Sequence, residues 1–334
     1  MKRFCIKFFL LFLIIDGFIG VHYFCIRPNL TGDMGKLGQI PFGQEYTQRM
    51  DAVCQHKKPM VENISPNDSI TSSIITIGDS FSQRKKRGYS QFLGELLHEK
   101  IQNMQHDETP EQTLVQLLNH HQIPPQTTVI LEVVERSMIN YLCWMNLEDT
   151  TKATLQKENK TEAKKINDQR ILQDALQFLK KSVGIQQPIT CYSTSQELFT
   201  HSSRHNKLYI YDSPWDNDGD LRFTNLTEKD ISYGYQCMYT LHQMAESQGI
   251  NLIIVIAADK YDVYEPFIAT PHTKNHTLDR CPDEPWIINT KPVLQAKALA
   301  GTKDIYYIND THWSPIGAKI AAEEIYQRLQ NISK

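Results

Sequence analysis

Ser73-Ile74-Ile75-Thr76-Ile77-Gly78-Asp79-Ser80-Phe81-Ser82 opens as an apolar, β-branched run and closes on turn residues. A run this short, stopped by Gly-Asp, reads as a buried strand over 74–77 followed by a tight turn. Outward from it the apolar spacing alternates between helical and extended. Helices are expected over 89–101, 114–121, 233–248 and 315–329. Further strands are expected over 129–134, 206–211, 252–256 and 305–308. Strands separated by helices imply right-handed crossovers and a mostly parallel sheet covered on both faces, which is an α/β fold built as a three-layer α/β/α sandwich. Ligands of such sheets collect beyond the C-terminal strand ends, and Ser80 falls at one of them.

A second motif gives the serine its meaning. Asp310-Thr311-His312-Trp313 follows the apolar run 305–308 and precedes Ser314-Pro315-Ile316-Gly317-Ala318-Lys319, which reads as a helix start. A serine hydroxyl is a weak nucleophile until a base takes its proton, and His312 is of the type that does so. Residues two apart in an extended segment project to one side, so Asp310 can fix the tautomer of His312. Thr311 and Trp313 are expected to pack or orient. Each motif alone has an ordinary reading: Gly-Asp-Ser as a common turn, Asp-Thr-His-Trp as a helix entry with a surface histidine. Together, each after an expected strand, they read as a relay of Ser80, His312 and Asp310.

Gly78-Asp79-Ser80-Phe81-Ser82 with a terminal Asp310-x-His312 resembles the SGNH (GDSL-type) hydrolase superfamily, and the DTHW form of the second block is similar to its alginate and polysaccharide O-acetyltransferase branch. Val134-Glu135-Arg136 and Ala258-Asp259-Lys260-Tyr261-Asp262-Val263-Tyr264 fit that branch as well. The order of the blocks, serine first, is that of ordinary SGNH hydrolases and not of the alginate enzymes. The Gly-x-Asn-Asp block that supplies an oxyanion asparagine is absent, and Glu135-Arg136-Ser137 stands where it would fall. The resemblance implies a flavodoxin-like sandwich and transfer of an acetyl group to a polysaccharide acceptor. It also implies a membrane-bound acyltransferase as the donor-delivering partner. Carbohydrate or lipid esterase activity, or a non-catalytic glycan-binding or assembly role on the same fold, are the alternatives.

An oxyanion still needs donors, and removing one typically costs ~3–4 kcal/mol of barrier. The backbone N–H of Ser80 and the side chain of Arg136 are candidates. Asp79, Lys260 and Trp313 complete the set of candidate oxyanion or substrate contacts. Glu135-Arg136 reads equally as a structural ion pair at the sheet edge, Asp259-Lys260-Tyr261 as a strand-to-loop exit, and Trp313 as a core tryptophan.

Charge excludes little else. With 35 basic against 38 acidic residues, net −3, no global field draws the chain to nucleic acid. Arg84-Lys85-Lys86-Arg87 is a dense basic run, either a solvated loop or a contact with acidic glycan or lipid headgroups. Lys2, Arg3 and Lys7 precede thirteen large apolar residues between Phe8 and Ile26, which outweigh Asp16 and read as a single-pass anchor. Residues 1–27 are therefore expected to be the anchor, 28–70 a stem, and 71–334 the catalytic domain. A charged helical insertion is expected near 146–181. The domain is expected outside the cytoplasm, on a bacterial inner membrane. Five cysteines beyond the anchor are scattered without metal-ligand spacing, and Cys237 reads as a buried thiol on a helix. The acidic loop 212–220 hints at calcium but lacks the glutamate that closes an EF-hand, so it reads as a turn. No cofactor and no metal are expected. A glycan on the Asn309-Asp310-Thr311 sequon would block His312, so the sequons read as chance.

Overall fold

A computed structural model of the protein describes residues 44–56, 58–83, 87–106, 108–138, 189–201, 203–211 and 227–332, with the isolated positions 17 and 142. The expected anchor (1–27, position 17 apart), the insertion near 146–181, the loop 212–220 and the basic residues 84–86 lie outside the described residues. Among the described residues no helix is long and apolar enough to cross a membrane.

The fold is α/β around a six-stranded parallel sheet. Its strands are β1 (Val61–Ile64), β2 (Ile74–Gly78), β3 (Ile101–Met104), β4 (Thr128–Val134), β7 (Asn251–Ala257) and β8 (Ile287–Asn289), in the order β1-β3-β2-β4-β7-β8. The remaining strands, β5 (Ile189–Ser193) and β6 (Lys207–Tyr211), form a separate antiparallel pair. The helices are α1 (Gln44–Val53), α2 (Tyr89–Leu97), α3 (Pro110–Asn119), α4 (Glu228–Glu246), α5 (Lys260–Tyr264), α6 (Lys291–Leu299) and α7 (Pro315–Ile332). β2, β4 and β7 are buried nearly end to end, as parallel strands covered on both faces must be.

Topology places the crevice. From β2 the chain crosses through α2 to β3 on one side, then returns through α3 past β2 to β4 on the other. Right-handed crossovers in opposite directions put α2 and α3 on opposite faces. In agreement, α7 packs against α2, while α4 packs against α3. This grouping is compatible with a three-layer sandwich. The strand order reverses at β2, and sheets of this kind bind ligands beyond the strand ends at such a reversal, here those of β2 and β4. Ser80 lies two residues past the end of β2.

The structure revises several sequence expectations. The stem contains α1, which packs on α7, and β1, which pairs with β3, and it buries Met50 and Met60 to 2% exposure each, so the folded unit begins inside it. The four-residue Val-Glu-Asn-Ile is too short and polar to announce a strand. The helix expected to run to 101 stops at Leu97, because His98 turns left-handed (φ 59°) and Ile101–Met104 then joins the sheet. Residues 206–211 do form a strand, but in the small antiparallel pair. Residues 305–308 form no strand: Tyr306 makes one isolated bridge to Trp313, and β8 takes the place beside β7. Asp304, at φ 61°, turns the chain there. Its carboxylate accepts from the Thr200 N–H (2.9 Å) and hydroxyl (2.8 Å) and pairs with Arg49 (2.9 Å). Cys237 is fully buried in α4.

Candidate active site

The serine turn is clasped from both ends of its own motif. The Asp79 carbonyl accepts the N–H of Ser82 (3.1 Å) and of Gln83 (3.3 Å). The Asp79 carboxylate accepts the Phe81 N–H through Oδ1 (3.0 Å) and the Val134 N–H through Oδ2 (3.0 Å), which ties the turn to the end of β4. Phe81 and Ser82 are buried, while Ser80 between Asp79 and Phe81 is exposed. Among the described residues the Ser80 N–H takes no part in the turn's hydrogen bonds, which keeps it a candidate donor to an oxyanion on a carbon bonded to Oγ.

His312 reaches this turn from the other end of the chain. Its Nε2 lies 2.5 Å from Ser80 Oγ, and its Nδ1 lies 2.6 Å from Asp310 Oδ1. A carboxylate only accepts, so the bond to Asp310 keeps the proton on Nδ1 and leaves Nε2 to accept from the serine hydroxyl. The same Asp310 oxygen also accepts the His312 main-chain N–H at 3.2 Å. His312 and Asp310 are both buried, and the Phe81 ring packs 4.7 Å from the imidazole. The unit is able to make a nucleophile of Ser80 and to hold the imidazolium that results.

The candidate oxyanion and substrate contacts are used otherwise. Asp79 is the clasp of the turn. Arg136 donates its main-chain N–H to Asp259 Oδ2 (3.0 Å) and pairs its guanidinium with Oδ1 of the same carboxylate, both side chains being buried. This is the ion-pair alternative, with Asp259 as the partner. Glu135 instead accepts the Asp259 N–H (2.9 Å) and the Asn275 amide (2.5 Å). Lys260 is fully buried, and its ammonium donates to the carbonyls of Tyr307 (2.9 Å), Ile308 (3.0 Å) and Asp310 (3.4 Å). Trp313 is 3% exposed and donates its indole N–H to Tyr306 Oη (3.0 Å), which in turn donates to the Ala258 carbonyl (2.6 Å). It packs edge-on against Phe81 and offers no open face for a sugar.

Residues that sequence reading passed over support the turn from below. Glu132 on β4 accepts from Ser82 Oγ at 2.8 Å, and that hydroxyl also lies 3.1 Å from Tyr89 Oη. Burial, and then the nearby Asp79 carboxylate, push Glu132 well above the usual carboxylate range. Burial, and then Glu132, push the Tyr89 phenol up in turn. His106 Nε2 lies 2.8 Å from the Gly78 carbonyl. At the ends of β4 and β7, burial and the neighbouring Asp262 and Asp259 raise Glu135 well above its ordinary range. Asp262 is raised to about 6 by burial, against the pull of Lys291 3.0 Å away. The one available signal was a glutamate in the otherwise apolar 129–134 run, Val-Ile-Leu-Glu-Val-Val. Among the described residues no group of histidine, cysteine, aspartate and glutamate side chains could hold a metal ion.

Comparison of the chain with family models, with curated proteins and with solved structures gives no match.

Proposed function

We propose that the protein is a membrane-anchored, extracytoplasmic O-acyltransferase of the SGNH type, moving an acetyl group to a hydroxyl of a cell-surface polysaccharide through an acyl-Ser80 intermediate. The observation that carries this reading is the continuous Ser80–His312–Asp310 hydrogen-bonded unit at the strand-order reversal. The helix grouping, the DTHW block and the apolar residues before Ile26 support the three-layer sandwich, the transferase branch and the anchor.

The chemistry follows from the geometry. Ser80 Oγ bonds to the acetyl carbon of the donor as its proton passes to His312 Nε2. The carbonyl oxygen becomes an oxyanion facing the Ser80 N–H, and Asp310 steadies the imidazolium. Collapse breaks the bond to the donor's leaving oxygen, which takes the proton from Nε2. The sugar hydroxyl then gives its proton to Nε2 and attacks the acyl-serine, and Ser80 leaves with that proton. A membrane-bound acyltransferase is the donor partner. No cofactor enters these steps.

Water in place of the sugar makes the same unit an esterase. The serine-first order of the motifs favours this second reading. With a chromogenic acetyl ester as donor, the transferase acetylates added oligosaccharide, and acceptor accelerates turnover when deacylation limits. Release of free acetate at a rate indifferent to a panel of glycans, with no acetylated sugar formed, assigns the esterase instead.

A further inference from the structure

We propose that Lys260 is the positioning residue of the Asp310–His312 pair. Its buried ammonium takes the place of the sheet ladder that the histidine loop lacks. This rests on the reading of Ser80, His312 and Asp310 as the reacting unit.

The loop that carries His312 is buried without forming a strand. Main-chain carbonyls buried in a loop need donors, and among the described residues no strand of the sheet lies beside 305–308 to supply them. Three carbonyls of this stretch, those of Tyr307, Ile308 and Asp310, converge on one point, and Lys260 Nζ occupies it. An ammonium carries three N–H donors and no acceptor, so donors and carbonyls match in number. The partial negative charge of three converging carbonyl oxygens also calls for a cation at their centre. Arginine is too broad for a position with no solvent exposure, and its planar fork does not point three ways.

The other end of Lys260 is fixed to the sheet. It opens α5 directly after β7, and the preceding Asp259 is held by Arg136 and, through its N–H, by Glu135, both just past the end of β4. Residues 128–132 of β4 pair with β2, whose turn carries Ser80. Lys260 thus refers the histidine loop to the same strands that fix the nucleophile. The carbonyl of Asp310 is one of its acceptors, and the carboxylate of that residue orients His312. The ammonium itself, enclosed and committed to carbonyls, does not touch substrate.

The test uses the full chain in detergent with Lys260→Met and Lys260→Gln. The readouts are kcat and KM on a chromogenic acetyl ester, the rate of Ser80 labelling by a fluorophosphonate, and the low-field proton resonance of the His312–Asp310 hydrogen bond. Lys260→Met is expected to lower kcat and labelling by about 10²-fold, the scale of a misplacement near 1 Å, with KM within about twofold. Its low-field resonance is expected to be lost at temperatures where circular dichroism is unchanged. Lys260→Gln, which restores two of the three donors, is expected to recover part of both signals, and it carries the test where the methionine variant does not fold. A folded variant with wild-type kcat, labelling and resonance overturns the proposal, and so does a raised KM with kcat unchanged, which makes Lys260 a substrate contact. Wild-type protein inert to the fluorophosphonate overturns the reading of Ser80 instead, and the resonance still decides whether Lys260 positions His312.

Discussion

Glu132 stands directly opposite Gly78 across the parallel ladder of β2 and β4, and it receives the Ser82 hydroxyl at 2.8 Å. The turn that carries Ser80 is therefore seated on a buried carboxyl of the neighbouring strand. The seat leaves no room for a side chain at position 78. It also ties the exposed Ser80 to a group whose charge state depends on burial.

A methyl group at Gly78 would collide with Ser82 Oγ and lie 2.8 Å from Ser82 Cβ and 2.6 Å from Glu132 Oε2. Ser82 would have to leave its seat and would drag the turn with it. Gly78→Ala is expected to cost about 1–3 kcal/mol, the range for overpacking a well-filled core. Thermal unfolding reads that loss, and fluorophosphonate labelling reads the displacement of Ser80. Unchanged melting together with unchanged labelling would contradict the packing described.

Buried carboxyls set the pH dependence of stability. Glu132 and Glu135 lie well above their ordinary value of 4.5, and Asp262 rises from 3.8 to about 6. A carboxyl raised in this way keeps its proton in the native state over a range where the unfolded chain has released it. Stability therefore falls as pH climbs, between 3.8 and about 6 for Asp262 and from 4.5 upward for the two glutamates. Each group contributes a slope of at most about 1.4 kcal/mol per pH unit. Glu132→Gln keeps the neutral shape and is expected to flatten the slope measured by urea unfolding above pH 4.5. A variant slope equal to that of wild type would show that Glu132 does not titrate there.

Ser80→Ala and His312→Ala are each expected to abolish turnover, and the double variant to lose little more, because members of a relay act as a unit. Asp310→Asn preserves shape but favours the wrong imidazole tautomer, with an expected fall in kcat of about 10⁴-fold. Steady-state kinetics on an acetyl ester measure all four. Losses that multiply independently would mean that the three side chains do not work together.

Arg136→Met separates the ion-pair role from an oxyanion role. Removing the guanidinium leaves the Asp259 carboxylate buried without this partner, at a typical cost of about 3–5 kcal/mol. The expected result is a marked drop in stability to urea. Full stability with a collapse of kcat would restore Arg136 to the chemistry.

Sequence reading was best where burial is continuous. β2, β4 and β7 are apolar along their length, and α4 and α7 carry long helical spacing, so both were legible. β3 was not, because Gln102 and Asn103 are buried there through hydrogen bonds to Thr71 and Thr76, and their polarity disguises an interior strand. Residues 305–308 misled in the opposite sense. They are apolar because they are buried, and burial alone does not say whether a ladder or a lysine satisfies the backbone. The residue types of a Ser-His-Asp unit were visible in two motifs. Lys260, Arg136 and Trp313 were visible only as candidates, since their partners are fixed by strand ends remote in sequence.

Ser80 and His312 are 232 residues apart, and α7, which follows His312, packs across α2, which follows the Ser80 turn. At ~5–20 residues per second a ribosome needs roughly 10–50 s to travel between them. Throughout that interval Ser80 exists without the His312 contact. On the proposed reading, competence waits for synthesis past residue 312, and a product cut short before it carries only an inert hydroxyl.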